Sequence, residues 1–155
     1  MDVISDIRTV PVGEDLTTEE TRLSVLRGLE RMNRVDFPLA AGATFGLGEW
    51  AALQADGTVA RPTTTPVALT YLVTAGTDRF DAKATGQVTC VMNSPIVAKS
   101  TRYKTDDVIV PGSPLTAKLL GTGVAGLALH TGVQPIHARA ISVSGGVLTF
   151  STNVP

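Results

Sequence analysis

The chain has 155 residues, 43% of them hydrophobic and 17% charged, with a net charge of −1 and a single cysteine. This excludes a wholly disordered chain, which needs low hydrophobicity and high net charge, and a nucleic-acid surface, which needs clustered Lys and Arg. One cysteine makes no internal disulfide, and no apolar run approaches the ~20 residues of a membrane-spanning helix.

The expectation is therefore a soluble protein made in a cytoplasm, with neither nucleic acid nor membrane as partner. The opening stretch MDVISDIRTVPVGED carries acids at Asp2 and Asp6 and lacks the basic-then-apolar order of a signal peptide. Charge is unevenly spread. The first 36 residues hold eight acids and five arginines, whereas Arg139 is the only full charge after Lys118. A neutral C-terminal stretch either forms core or faces another protein, because a free surface without charge favours association.

In chain order, residues 1–16 read as an arm. Val3, Ile4, Ile7, Val10 and Val12 are apolar, but the segment is short and interrupted by Pro11 and Gly13. Next, Thr17 with Glu20 three residues on makes a capping box. Leu23, Leu26, Leu29 and Met32 follow at helical spacing, which predicts one amphipathic helix ending near Asn33. Gly28 inside it costs about 1 kcal/mol relative to Ala. Residues 1–36 thus form an arm and a short α-helix outside a β-rich body of residues 37–155.

From Phe37 onward, short Val-, Thr- and Ile-rich runs alternate with Gly, Pro, Asn and Asp. Strands are expected at 44–54, 68–74, 86–92, 96–101, 108–110, 115–120, 136–143 and 147–151. Asp56-Gly57 marks a turn, and Ser144-Gly145-Gly146 a tight hairpin. The fold class is mainly β, either a small barrel or a sandwich.

Candidate chemistry is thin. His130 and His137 stand seven apart with no carboxylate nearby, whereas a zinc site needs three or four converging donors. Cys90 sits in the alternating run QVTCVMN and reads as a small buried hydrophobe. Gly121 to Gly126 matches GxGxxG in letters. However, Gly132 and Pro135 leave no room for the helix that must follow, and no Asp or Glu occurs after Asp107 to bind a ribose. It reads as a glycine-rich turn. No catalytic, cofactor-binding or metal-binding residue is assigned.

Two resemblances remain. Asp81-Ala82-Lys83-Ala84, followed by TDDVIVPGSPLTA, is similar to lipoyl and biotinyl carrier domains, which implies a modified Lys83. Ala82 splits the Asp–Lys pair, and the pseudo-symmetric first half of such domains is absent. The second covers about two-thirds of the chain. GEWAAL, DGTVARP, RYKTDDVIVPGSPLTAKLLGTGVAGLA and QPIHARAISVSGGVLTFS, in that order, resemble the head decoration (cement) proteins of tailed bacteriophages. The resemblance implies a barrel, or "tulip", body that is usually trimeric and sits on the outer capsid surface. It further implies no cofactor or small-molecule substrate, and as partners the major capsid protein and further copies of the chain. On this reading Val3, Ile4, Ile7, Val10 and Val12 are the capsid-interface candidates. A head-fibre or tail component is the alternative within the virion.

Overall fold

The structure is a computed structural model, and it describes residues 22–28, 32–75, 86–92 and 94–152. Two antiparallel sheets face each other as a sandwich, and neither closes into a barrel. The first has six strands in the spatial order β1 (Ser24–Arg27), β7 (Val97–Ser100), β11 (Val147–Thr152), β10 (Ala138–Ser144), β8 (Pro114–Leu119) and β9 (Ala125–Leu129). The second has five, in the order β2 (Arg34–Pro38), β6 (Gln87–Val91), β5 (Thr70–Ala75), β3 (Trp50–Leu53) and β4 (Val59–Ala60).

Period-two alternation decides which side chains meet between the sheets. In the six-stranded sheet Phe150 lies opposite Ala98 on one side and Ala140 on the other. The two alanines make room for the ring, a large residue flanked by small ones. Across the sandwich, Trp50 of β3 tilts onto Phe150 with centroids 6.3 Å apart. Leu72, Val91, Leu115, Leu127 and Leu148 complete this core, all 5% exposed or less. A second, smaller cluster lies on the other face of the five-stranded sheet, where Val73, Val88 and Cys90 pack with Ala51, Val59 and Phe45. That sheet is therefore apolar on both faces.

Residues 24–27 are a strand where the sequence suggests a helix. Leu23 is buried and Val25 packs against the core, an alternation hidden inside the wider Leu23-Leu26-Leu29 spacing. Leu26 is 49% exposed. Gly28 decides the matter. Its φ is +88°, a left-handed value foreign to a helix interior, and a Cβ there would stand 2.5 Å from the Pro95 carbonyl oxygen. The capping-box residues Thr17 and Glu20 lie outside the described residues. With β1 paired to β7 and β2 paired to β6, the stretch 24–36 supplies an edge strand to each sheet rather than lying apart from the body.

One further correction concerns the middle of the chain: residues 108–110 are loop, not strand. The glycine-rich segment after Leu120 is the expected turn, and it runs straight into β9, which the sequence did not suggest. Gly126 sits within β9 because a Cβ there would meet the Arg102 carbonyl oxygen at 2.6 Å. Its small size lets residues 102–104 lie along the outer edge of β9. Leu127 N–H donates to the Arg102 carbonyl at 3.1 Å, and Lys104 N–H donates to the Leu127 carbonyl at 2.8 Å. An otherwise open edge is thereby covered. The Ser144-Gly145-Gly146 hairpin forms as expected, both glycines having positive φ.

One buried carboxylate ties the sheets together. Glu49, the residue before β3, accepts from both terminal Arg61 guanidinium nitrogens at 3.0 and 2.9 Å, from Gly46 N–H at 2.8 Å and from Ala125 N–H at 2.9 Å. Burial on its own would raise the Glu49 pKa, but Arg61 and the two backbone donors outweigh it and hold the carboxyl below its ordinary 4.5. Replacing Glu49 by Ala leaves the Gly46 and Ala125 donors and the Arg61 charge without an acceptor. Denaturant unfolding of Glu49→Ala should show a loss of about 3 kcal/mol. Because the folded pKa is depressed, this contribution is complete above pH 4.5 and disappears as pH falls through the folded value.

Candidate functional site

The five apolar arm positions Val3, Ile4, Ile7, Val10 and Val12 lie outside the described residues, as does Lys83. The other singled-out residues are placed. Cys90 is fully buried on β6, and burial, reinforced by the charge of Asp36, pushes its thiol up to about 12. A thiol that remains protonated in a sealed apolar cluster is packing rather than nucleophile. His130 has its Nε2 2.6 Å from the Gln134 carbonyl oxygen, within one turn. Among the described residues no three His, Cys, Asp or Glu side chains converge as a metal site would require.

His137 is different, because it borders a concavity. This cleft of about 180 Å³ opens where the start of β5 meets the residues leading into β10. Trp50, Leu72 and Val91 form its apolar side, and Ala68, Thr70, Ile136 and His137 flank it. His137 joins two elements that are far apart in sequence. Ala117 N–H on β8 donates to Nδ1 at 2.9 Å, and Nε2 is 2.8 Å from the Val67 carbonyl oxygen. An N–H donating to Nδ1 requires the tautomer with its proton on Nε2, which donates to Val67. The neutral ring thus fits both partners. The imidazolium does not, because its Nδ1 proton would oppose that of Ala117.

The remaining polar groups of the cleft are also engaged. Thr70 Oγ1 donates to the Val67 carbonyl at 2.8 Å. Ser94 Oγ accepts from Asn33 N–H at 2.6 Å, and Thr152 Oγ1 donates to the Ser94 carbonyl at 2.6 Å. The hydroxyls and the imidazole hold the walls in place, and among the described residues no carboxylate lines the space to work with them as acid or base. Its volume is also below the ~300 Å³ at which small-molecule pockets begin. Polar groups make up at least as much of its open wall as apolar ones, so it is not an apolar chamber.

Sequence reasoning did not find this cleft, since Trp50 and His137 are 87 positions apart and share no motif. A signal was present in the two charge-free runs PTTTPVAL (62–69) and TGVQPI (131–136). They supply the exposed side chains Val67, Leu69, Val133 and Ile136.

Burial lowers the His137 pKa from 6.5, an effect only partly offset by the Val67 and Ala68 carbonyls. A histidine held neutral in the fold contributes fully above the unfolded value of 6.5, and its contribution declines as pH falls below it. The thermal midpoint should therefore drop on acidification from pH 7 towards 5. His137→Phe, which cannot titrate, should flatten that slope even though it lowers the midpoint at pH 7.

No protein-family model, curated protein or solved structure matches this chain, so its own residues carry the functional reading.

Proposed function

We propose that this chain is a structural, non-enzymatic virion protein: a decoration protein that binds the outer surface of an assembled phage head and stabilises it. The observation that carries the reading is the uncharged surface of the C-terminal quarter. Arg139 is the only full charge after Lys118, and its guanidinium folds back onto the Gly112 carbonyl at 3.1 Å. Part of the neutral stretch is core, as Leu127, Leu148 and Phe150 attest. Part is not: Val133, Ile136, Ile141 and Val143 are 38% to 103% exposed. Exposed apolar side chains with no charge among them suit a face covered by protein.

The segments that carry the resemblance to head decoration proteins fall on ordered parts of the sandwich. GEWAAL enters β3, DGT forms the turn before β4, PGSPLT leads into β8, and the Gly-Gly hairpin joins β10 to β11. A protein that binds the assembled shell and not its free subunits stabilises the shell by mass action. Beyond Ala140, which also bonds back to Gly112 and Ser113, β10 pairs with β11 and with no other strand among the described residues. Ile141 and Val143 lie on this stretch, which suits contact between copies.

Two measurements test the reading. Light scattering should give a homo-oligomer, a trimer of about three times the 16.1 kDa chain mass. A single-chain mass at micromolar concentration would remove the self-association. Intact protein should co-sediment with heads assembled without it and raise their survival on heating, while deletion of Met1–Glu14 should lower occupancy and leave the thermal midpoint of the free protein nearly unchanged. Absence of binding by intact protein would overturn the decoration role, and equal binding by both forms would assign attachment to the body instead of the arm.

A further inference from the structure

We infer that the outer face of the six-stranded sheet is a docking surface for the acid-rich N-terminal segment of the same chain, residues 1–20, held there by charge. The inference concerns the free protein and does not depend on the function proposed above. The six strands carry four charged side chains, Arg27, Lys99, Lys118 and Arg139, and no Asp or Glu. Period-two alternation sets Lys99, Lys118 and Arg139 on the face away from the core, because their neighbours Ala98, Ala117, Ala138 and Ala140 point inward. Arg27 shares a cross-strand row with Arg139: it lies opposite Val97, Val97 opposite Ser151, and Ser151 opposite Arg139. Lys99 is two residues along β7 from Val97. Arg27, Lys99 and Lys118 make no ion pair among the described residues, and Arg139 reaches only the neutral Gly112 carbonyl. The described acids are elsewhere. Glu49 is bound by Arg61, Asp106 and Asp107 are bound by Lys104, and Asp36 and Asp56 lie on and beside the five-stranded sheet.

The occupant is named by its charge and by where it enters the fold. Residues 1–20 contain Asp2, Asp6, Glu14, Asp15, Glu19 and Glu20 against Arg8 alone, so this segment carries −5 and the remainder of the chain +4. The described chain begins at the same sheet. The Ser100 hydroxyl, at the end of β7, donates to the Arg22 carbonyl, and β1 starts two residues later as the edge strand. From that edge, the row between Arg27 and Arg139 crosses three strand spacings, about 14 Å. Twenty residues reach up to about 66 Å when extended, so the whole face is within range. Tethering supplies an effective concentration in the millimolar range, at which several exposed ion pairs act together although each is weak. Apolar contacts can add to them, because Val3, Ile4 and Ile7 stand among the acids and Leu26, beside Arg27, is 49% exposed.

Paramagnetic relaxation tests the contact on the full chain. A nitroxide is attached at Ser5→Cys, the native Cys90 being fully buried. The labelled, ¹⁵N-enriched chain is diluted into excess natural-abundance chain, so that only contacts within one chain are read. At 20 mM NaCl the amide signals of residues 97–99, 139 and 149–151 should weaken, while those of residues 56–58, in the turn before β4, should not. In 0.5 M NaCl, where screening extends only a few ångströms, the weakening should vanish. It should also vanish when Asp2, Asp6 and Asp15 are changed to Asn and Glu14 to Gln, substitutions that leave the sandwich untouched. Arg27→Glu with Lys99→Glu should abolish it as well, whereas Arg34→Glu, at an exposed position on β2, should leave it in place. No weakening at low salt, or weakening that survives 0.5 M NaCl or the neutralised segment, would overturn the inference. A nitroxide on natural-abundance chain that weakens the same signals of an unlabelled ¹⁵N chain equally would name a second copy as the source of the segment and overturn the assignment to the same chain.

Discussion

The carboxylate of Glu49 is the constraint on which the rest of the sandwich depends. Its four hydrogen bonds come from the turn before β3, from Arg61 just after β4 and from the first residue of β9. Arg61 adds a second bridge, donating to the Gly123 carbonyl at 2.6 Å in the turn that leads into β9. A charge this buried costs several kcal/mol unless all its lone pairs are met, so the three elements have few other positions in which to settle. The next residue is Trp50. Fixing Glu49 fixes where the indole enters the core, and with it the contact to Phe150 and one side of the cleft.

The core is economical in aromatics for a related reason. Only 5% of the chain is Phe, Trp or Tyr. The space between the sheets is filled by a few large residues set among alanines, with Ala98 and Ala140 beside Phe150 and Ala117 beside Leu127 across the strands. The outer face of the five-stranded sheet repeats the pattern more loosely. There Phe37 and Tyr71 stack at 6.0 Å, both only partly buried. Small side chains permit close sheet packing, and they leave a shallow cleft rather than a ligand chamber.

How much of this was legible in the sequence depended on how local the signal was. The runs at 86–92, 96–101, 115–120, 136–143 and 147–151 became β6, β7, β8, β10 and β11 with ends shifted by a residue or two, because alternation and turn residues both lie within each run. β1 was hidden because leucines three apart imitate a helix, and only the left-handed Gly28, packed on Pro95, excludes it. β2 carries Arg34, Asp36 and Pro38, which look unlike a strand until their places on the exposed face of an edge are known. The Val35-Phe37 alternation is too short to stand out by itself. β9 was missed because its Gly126 serves a contact with residue 102, and that contact is tertiary. Of the stretch 44–54 only Trp50–Leu53 is strand, since the residues before it are bent to deliver Phe45 and Glu49. The cleft was beyond reach for the same reason: its walls come from five separated segments, and nothing local announces that they meet.

The position of β11 has a consequence for how the protein is made. It is the last of the eleven strands among the described residues, yet in the six-stranded sheet it lies between β7 and β10 rather than at an edge. Phe150, the centre of the core, is on it. Until residue 152 has been synthesised, no strand among the described residues joins β7 and its edge partner β1 to β10, β8 and β9. The five-stranded sheet, complete by residue 91, must meanwhile wait with its inner face uncovered. Folding is thus dominated by long-range closure, of the kind that proceeds in milliseconds to seconds rather than microseconds. A chain cut short by even its last hairpin would lose the middle of a sheet and not merely its margin.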